Sequence, residues 1–243
     1  MIYTIKDIEK LGTIMGIWAH PDDESWSSAG IMATAVQNGQ SVCVLSATNG
    51  DAGQTSDESM YPQSKLRDIR KQEFRNALQV IGVKHDVMLD YDDGTLAQID
   101  AGRAIKIIGK HIRLFKPDTI LTFEEHGVTG HSDHRTISHW TQHASRLSER
   151  KITVYGAVET KESYESIGKQ AHELFNVYFA IDKPVLYRQN EVDLCFVLAD
   201  DIKSIKRQAL IAHASQTQQL FRHDVGEKLL ESSISQECFI KLQ

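Results

Sequence analysis

The stretch that decides the fold is TIMGIWAHPDDESWSSAGIMATAVQNGQSVCVLSA, residues 13–47. Its first part, residues 13–19, is an apolar run of the length of one strand. Apolar residues then recur with helical spacing at Ala29, Met32, Ala33 and Val36. The pair Asn38-Gly39 is typical of a helix end, and residues 41–47 form a second strand-like run. Strand, helix and strand in this order predict a βαβ unit, in which the two strands lie parallel.

Strand-like and helix-like runs alternate along the rest of the chain. Further strands are predicted at residues 86–89, 118–123, 152–158, 174–180, 192–198 and 237–241. Helices are predicted at residues 63–81, 99–115, 134–147 and 200–213, and a long loop at residues 48–62. The alternation indicates an α/β fold with a three-layer Rossmann-like arrangement, in which helices flank a mainly parallel sheet. A small extra β element is expected in the C-terminal half. Without repeats or a low-complexity linker, residues 1–243 are predicted to form one domain.

The composition excludes several classes of partner. A formal net charge of −6 disfavours a general phosphate-binding surface, so we expect no nucleic-acid partner. The apolar run at residues 11–19 is too short to span a bilayer, so no membrane association is predicted. Cys43 and Cys195 lie in apolar runs, and we interpret them as small core residues in a reducing compartment. These observations favour a cytoplasmic protein.

Polar clusters follow three of the predicted strands. The sequence HPDDE (residues 20–24) follows the first strand, GDAG (residues 50–53) the second, and EEHGVTGHSDH (residues 124–134) the strand that ends at Phe123. Ligands of open parallel sheets bind beyond the carboxyl ends of the strands. The three clusters are therefore predicted to form one site.

The side chains in these clusters are of the types that bind zinc-class cations. They are His20, Asp22, Asp23, His131, Asp133 and His134. A catalytic zinc takes three protein ligands and keeps a position for water. His20 and Asp23 flank a turn stiffened by Pro21, and one later histidine would complete the set. Spacing alone does not decide between His131 and His134.

One aspartate then stays free beside the cation. There Asp22 could accept a proton from an activated water. A cation would also relieve the repulsion among the clustered acids. Two simpler interpretations compete with a metal site: HPDD as a turn whose acids suit a helix N-terminus, and the histidine motif as a solvated loop.

AHPDDE near the N-terminus, together with GHSDH about halfway along, resembles the PIG-L/LmbE-like family of zinc-dependent N-deacetylases. Four further segments fit the family in order: ATNGDAG (residues 47–53), RKQEFRNALQVIGV (residues 70–83), LDYDDGTL (residues 89–96) and KRQALIAHASQ (residues 206–216). The matches run over most of the chain. The resemblance implies one LmbE-like deacetylase domain over residues 1–243.

The resemblance also implies a role for each residue of the motifs. His20, Asp23 and His134 would bind zinc, although ferrous iron also suits this donor set. Asp22 would be the general base. Protonated His131 would stabilise the oxyanion, with Asp133 hydrogen-bonded to it as its orienting partner.

Three further residues are predicted to contact substrate: Arg70, Asp51 and His213. Two of them have structural alternatives. Arg70 could form an ion pair with Glu73 on the same helix. His213 shares a helix face with apolar residues and could be a buried histidine with partners. Thr129 stands where some relatives carry a tyrosine that assists proton transfer.

The function implied is that of a zinc-dependent N-deacetylase, a hydrolase that removes acetyl from an N-acetylglucosamine-type glycoconjugate. One alternative is an amidase of the same family that cleaves a bulkier amide. Another is a metal-dependent sugar-binding module, against which the free Asp22 argues because a binder needs no base. A phosphoesterase would usually need two metals and more ligands. The expected partner is a small N-acetylated sugar or glycoconjugate, and a homo-oligomer is left open.

Overall fold

The computed structural model describes residues 7–243, together with the backbone of residues 2, 3, 5 and 6. The strands are β1 (Ile2–Tyr3), β2 (Ile14–Trp18), β3 (Val42–Thr48), β4 (His85–Tyr91), β5 (Thr119–Phe123), β6 (Thr153–Ala157), β7 (Glu159–Thr160), β8 (Leu186–Tyr187), β9 (Leu194–Val197) and β10 (Gln236–Lys241). The α-helices are α1 (Ile5–Ile8), α2 (Asp23–Ser27), α3 (Ala29–Gln37), α4 (Leu66–Ile81), α5 (Ala101–Phe115), α6 (Ser132–Arg146), α7 (Lys161–Ser163), α8 (Lys169–Phe175), α9 (Asp200–Ala212), α10 (Ala214–Thr217) and α11 (Asp224–Ser233).

Eight strands form one sheet in the order β1-β9-β10-β6-β5-β2-β3-β4. Strands β4, β3, β2, β5 and β6 pair in parallel, and β10 runs antiparallel to both of its neighbours. Parallel neighbours need a crossover, and α3, α4, α5 and α6 supply these connections in chain order. The predicted α/β class with a mainly parallel sheet is confirmed.

Helices cover both faces of the sheet. Helices α3 and α4 pack with α9, whereas α5 packs with α6, which gives the three layers that the sequence predicts. Strands β2, β3 and β5 are buried along their whole length, as strands covered on both sides must be. Among the described helices, none is both long and apolar enough to cross a membrane.

The strand predicted at residues 174–180 is absent, and this prediction is wrong. Helix α8 continues to Phe175 and ends where Asn176 adopts a left-handed conformation with φ 53°. The helix is held by burial of Ala171, and with Ile167 this residue forms a small apolar cluster. The small extra β element is instead the two-stranded parallel pair of β7 and β8.

The pairing of two cysteines also corrects the sequence analysis. Cys195 on β9 lies directly opposite Cys238 on β10, with Cα atoms 4.0 Å apart, and the two form a disulfide. Cys195 is buried, as predicted, but the prediction that it is reduced is wrong. The two cysteines are 43 residues apart, and only the antiparallel register brings them together. Cys43 is buried and free, as expected.

Candidate functional site

The predicted polar clusters meet at the carboxyl edge of the sheet. Strands β2, β3 and β5 end at Trp18, Thr48 and Phe123, and each cluster follows its strand directly. Because β2 is paired with both β3 and β5, the three loops that follow are neighbours. The sheet topology thus builds the site from distant segments.

Three side chains converge with the spacing of metal ligands. His20 Nδ1 lies 3.1 Å from His134 Nε2. Carboxylate oxygens of Asp23 lie 3.6 Å from His20 Nδ1 and 3.4 Å from His134 Nε2. Ligands around a tetrahedral zinc with bonds of about 2.0–2.1 Å lie roughly 3.3 Å apart. The donor set and its spacing therefore fit one zinc-class cation.

Hydrogen bonds orient two of these donors toward the shared point. Oδ2 of Asp23 accepts the backbone N–H groups of Ala19 and His20, at 3.1 and 2.7 Å, which closes the turn after β2. Nδ1 of His134 lies 2.9 Å from the carbonyl oxygen of Gly127, so Nδ1–H donates and Nε2 keeps its lone pair. The His134 ring also stacks on Phe123, with centroids 4.0 Å apart.

Gly127 packs so closely against His134 that a larger residue would clash there. Gly127 has φ +75°, and a Cβ added there would lie 2.7 Å from Cβ of His134. Thr129 lies on the same loop, and its Oγ1 is 3.3 Å from Nδ1 of His134 and accepts a 3.4 Å hydrogen bond from the N–H of His131. Thr129 thus supports the loop rather than standing free as a proton donor.

Two carboxylates lie at the other nitrogen of His20. Its Nε2 is 2.9 Å from Oδ1 of Asp93 and 3.4 Å from Oδ2 of Asp133. Burial alone would lower the pKa of His20, but hydrogen bonds with Asp133, Asp23 and Asp93 raise this pKa well above its ordinary value. Carboxylates on the outer nitrogen of a histidine ligand orient its ring and increase its basicity. Nδ1 of His20 is the nitrogen that faces His134 and Asp23.

Asp133 is placed differently from its predicted role. Its carboxylate is fully buried and accepts the backbone N–H groups of Gly94 and Leu96, at 2.8 and 3.1 Å. Asp133 contacts His131 through its backbone, since the N–H of Asp133 donates to Nδ1 of His131 at 3.0 Å. The neutral His131 ring then carries its proton on Nε2. Burial, together with the nearby His20, lowers the pKa of His131 to about 4, which favours the neutral ring over the predicted protonated form.

Asp22 lies beside the ligands without joining them. Its backbone has φ 127°, a region that residues other than glycine rarely adopt. The carboxylate Oδ2 is 3.1 Å from Nη2 of Arg70, and its side chain keeps 17% exposure. Burial raises the pKa of Asp22 to about 6, and the charge of Arg70 opposes this rise. A partly exposed carboxylate with a raised pKa is suited to receive a proton.

Arg70 is nearly buried, and backbone oxygens hold it in place. Nη2 donates to the carbonyl oxygen of Pro21 at 2.6 Å, and Nη1 donates to that of Gly50 at 3.1 Å. A Cβ at Gly50 would lie 2.6 Å from the guanidinium, so the GDAG loop needs glycine there. The ion pair with Glu73 is not formed, because the carboxylate of Glu73 accepts the N–H and hydroxyl of Ser215, at 2.7 and 2.6 Å.

A model of the family described as PIG-L, GlcNAc-PI de-N-acetylase, matches residues 15–145, more than half of the chain. The chain belongs to this family. The matched segment carries all of the residues predicted as metal ligands and runs from β2 into α6.

Curated relatives of this PIG-L family protein include an amidase and a deacetylase. The mycothiol S-conjugate amidase of Streptomyces coelicolor is 27% identical over 68% of this chain and 59% of its own length. The 1D-myo-inositol 2-acetamido-2-deoxy-alpha-D-glucopyranoside deacetylase of Thermomonospora curvata is 28% identical over 56% of this chain and 52% of its own length. The chain thus spans between about half and three fifths of the length of these two relatives.

A solved structure shows the same fold. The N,N'-diacetylchitobiose deacetylase of Pyrococcus horikoshii superposes with a TM-score of 0.67 at 20% identity. The superposition covers 99% of this chain and 87% of that one. The likeness in fold therefore covers more of the PIG-L family protein than the segment that the family model matches.

Two acids of the PIG-L family protein were not among the predicted site residues. Asp93 follows β4 at the same sheet edge, and a search for acids after every strand would have found it in LDYDDGTL. Glu24 is fully buried behind Asp22, and its Oε2 accepts the N–H of Asp22 at 3.0 Å. No spacing in the sequence indicates that Glu24 accepts the backbone N–H of Asp22.

Two of the predicted substrate residues, His213 and Asp51, differ in how far they are exposed. His213 is fully buried with Nε2 3.1 Å from Oε1 of Glu24, which fits the alternative of a buried histidine with a partner. Asp51 is partly exposed at the mouth of the site. Its Oδ1 accepts the N–H of Asp93 at 2.9 Å, and its Oδ2 lies 3.3 Å from Nη2 of Arg67.

Proposed function

We propose that this protein is a metal-dependent hydrolase that removes the acetyl group from an N-acetylglucosamine-type glycoconjugate. The observation that carries the proposal is the convergence of His20, Asp23 and His134 on one point, with the carboxylate of Asp22 beside them. Family membership and the deacetylases and amidase among the relatives support the reaction class.

In this proposal His20, Asp23 and His134 hold one zinc ion, or ferrous iron, through two imidazole nitrogens and one carboxylate. The cation supplies Lewis-acid polarisation of the amide carbonyl and of a water molecule. Asp93 and Asp133 keep His20 in the tautomer that offers Nδ1.

Asp22 acts as the general base. It receives a proton from water while the water oxygen adds to the acyl carbon, and the C–N bond then breaks. The departing amine takes up a proton, so acetate and a free amino sugar are the products. Arg70 holds both the Asp22 carboxylate and the Pro21 carbonyl oxygen, and this fixes the base relative to the turn.

His131 stabilises the oxyanion as a neutral hydrogen-bond donor. Because its Nδ1 accepts the N–H of Asp133, the ring presents Nε2–H to the site. A donor placed in advance at the developing charge contributes about 10²–10³-fold in comparable sites. In this proposal a neutral donor takes the place of the protonated histidine that the resemblance implies.

We place the sugar at the polar mouth of the site. Asp51 and its neighbours Arg67 and Asp92 offer exposed donors and acceptors there. Arg70 and His213 are too deeply buried to offer much contact surface, and we assign them to positioning Asp22 and Glu24. Action on a small glycoconjugate without nucleic-acid or membrane partners, and a cytoplasmic location, stay predictions.

A conjugate amidase is the second candidate function. The Streptomyces relative is named as an amidase, and an amidase likewise hydrolyses an amide bond. The two activities differ in the substrate: the amidase would cleave an amide with a larger acyl group than acetyl.

The replacement Asp22→Asn tests the assignment of the base. The amide keeps the shape but takes up a proton poorly, so we expect kcat to fall by about 10²–10⁴-fold. Zinc content, measured by elemental analysis, is expected to stay at the wild-type stoichiometry. Acetate release from N-acetylglucosaminides provides the rate.

Asp90→Asn is the matched control, because Asp90 is an exposed acid near the same sheet edge that pairs with Lys71. The control is expected to keep wild-type activity. Near-normal deacetylation by Asp22→Asn would show that another group is the base.

A further inference from the structure

A cavity of about 360 Å³ lies beside the predicted cation ligands. Asp23 and His134 form part of its wall, so the cavity begins where the reacting amide would lie. Asp22, Arg70 and His131 do not line it. The cavity therefore opens from a different side of the site than the one occupied by the base and the oxyanion donor.

Most of the surface of this cavity is apolar. Its apolar side chains come from α2, the ends of β5 and β6, the segment after α8, and α11: Trp26, Phe123, Val128, Val158, Val177 and Leu229. Three acids also stand in the wall, and each has a partner: Asp23 accepts the N–H of His20, Glu159 the hydroxyl of Tyr178, and Glu237 the ammonium group of Lys206. Serine, threonine and glutamine side chains complete the polar part of the wall, but the larger part of its surface is hydrocarbon.

The cavity is much larger than an acetyl group requires. An acetyl group ends in one methyl, which is similar in size to a water molecule of about 30 Å³. A volume of about 360 Å³ leaves room for several more carbon atoms. Filling apolar space with an apolar group contributes to binding at about 0.8 kcal/mol per buried methylene.

The mouth of the site, unlike the cavity, is lined by charged side chains and favours polar groups. Asp51, Arg67 and Asp92 form a charged rim that suits the hydroxyl groups of a sugar. An amide placed between the rim and the cavity has a polar amine side and an apolar acyl side. Only one of the two orientations puts each side in matching surroundings.

On the basis of the proposed amide hydrolysis, we infer that this cavity is a subsite for an acyl chain longer than acetyl. The enzyme hydrolyses N-acylglucosamine conjugates with unbranched chains of about six to eight carbons more efficiently than N-acetyl ones, since such chains at roughly 30 Å³ per carbon fit the space. Water adds to the acyl carbon and the C–N bond breaks, giving a fatty acid and an amino sugar.

The test is a chain-length series with the zinc-loaded full chain. N-acetyl-, N-butanoyl-, N-hexanoyl- and N-octanoylglucosamine are compared by release of the free amine. We expect kcat/KM to rise about threefold to fourfold for each added methylene until the cavity is full. A fall of kcat/KM with each added methylene would overturn the inference.

Leu229→Trp reduces the cavity from the α11 side, and Lys228→Trp adds the same side chain at the neighbouring exposed position of that helix. The ratio of kcat/KM for octanoyl to acetyl is expected to fall at least tenfold in Leu229→Trp and to stay unchanged in Lys228→Trp. If Leu229→Trp does not fold, Ser232→Trp enters the cavity from the same helix. An unchanged ratio in a folded cavity variant would contradict the assignment.

Calorimetric titration with octanoate separates this inference from the proposed function. Octanoate binding that is at least tenfold weaker in Leu229→Trp supports the subsite, even if no glucosamide releases an amine and the proposed function fails. Release of acetate alone, with no octanoate binding, keeps the proposed function and overturns the subsite.

Discussion

At the scale of single residues, the backbone of Asp22 is the most unusual feature of the site. Its φ of 127° costs about 1–3 kcal/mol for a residue with a side chain. Glu24 holds the N–H of Asp22, while Arg70 holds the preceding carbonyl oxygen and the carboxylate. The strained turn thus depends on two charged side chains that are not among the proposed cation ligands.

Glu24→Gln tests this dependence. Glutamine has nearly the same volume as glutamate. Its NH₂ group is a hydrogen-bond donor, however, and it would lie among groups such as the N–H of Asp22 that donate to the Glu24 carboxylate in the wild type. Losing one hydrogen bond to a charged group is worth about 1.5–3 kcal/mol, so we expect kcat to fall by roughly tenfold or more. KM and zinc content should change little, because the sugar and cation contacts lie elsewhere.

Glu231→Gln is the control, since this exposed acid pairs with Arg207 on the surface, away from the site. Steady-state kinetics and elemental analysis of both variants provide the readouts. Equal kcat values for wild type and Glu24→Gln would show that Asp22 keeps its position without this carboxylate.

Glu159 gives a prediction about pH. Burial raises the pKa of this carboxyl in the folded state. The folded state therefore binds the proton more tightly than the unfolded chain, and this contribution to stability is lost as pH rises through the folded pKa. Glu159→Gln should raise the Tm at pH 8 relative to wild type and have less effect at pH 4. Thermal unfolding at both pH values is the measurement, and an unchanged or lowered Tm at pH 8 would contradict it.

At the scale of elements, one buried carboxylate joins the end of the sheet to a helix. Glu237 on β10 accepts the N–H groups of Gly30 and Ile31 in the first turn of α3, at 2.7 and 2.8 Å. The ammonium group of Lys206 on α9 lies 2.7 Å from the same carboxylate and also donates to the carbonyl oxygen of Trp26. A carboxylate at a helix N-terminus is favourable. Glu237 and Lys206 thus hold the start of α3 and the backbone of α2 together.

Glu237→Ala should destabilise the protein strongly. It leaves the fully buried Lys206 without its partner, and breaking a buried pair on one side costs about 3–5 kcal/mol. Asp200→Ala breaks the exposed pair with Lys203 on the same helix and should have little effect. The double variant Lys206→Met with Glu237→Leu should regain much of the loss. Denaturant unfolding measures all three, and a small loss in Glu237→Ala would contradict the account.

The sequence predicted most elements because their patterns are local. The apolar repeats of α4 and α5 and the short runs of β2, β3 and β5 stand out in a few residues. Residues 174–180 do not form the predicted strand because an apolar run at the end of a helix has the same local pattern as a short strand. The Cys195–Cys238 disulfide depends on the register of β10 against β9, which no local pattern contains.

At the scale of the whole molecule, the parallel sheet explains why the site could be anticipated in outline. Loops that follow β2, β3 and β5 must meet at one edge, so the acids and histidines were correctly expected to lie together. The individual contacts were not anticipated, because the partners of Arg70, Glu24 and Asp133 depend on how deeply each side chain is buried. The cavity beside the site was not anticipated either, because α2 and the motif residues Asp23 and His134 meet there with Val177 and Leu229, which belong to no motif.

The most direct test of the central claim is the anomalous scattering of a zinc-loaded crystal, recorded at the zinc edge. Two groups of side chains lie close enough together to hold a cation: His20 with His131 and His134, and His20 with Asp93 and Asp133. The proposed ligand set takes His20 and His134 from the first group and adds Asp23, which lies 3.6 Å from Nδ1 of His20 and 3.4 Å from Nε2 of His134. We expect a single peak about 2.0–2.2 Å from His20 Nδ1, His134 Nε2 and an oxygen of Asp23. A peak beside Asp93 and Asp133 instead, or no peak at either group, would contradict the account.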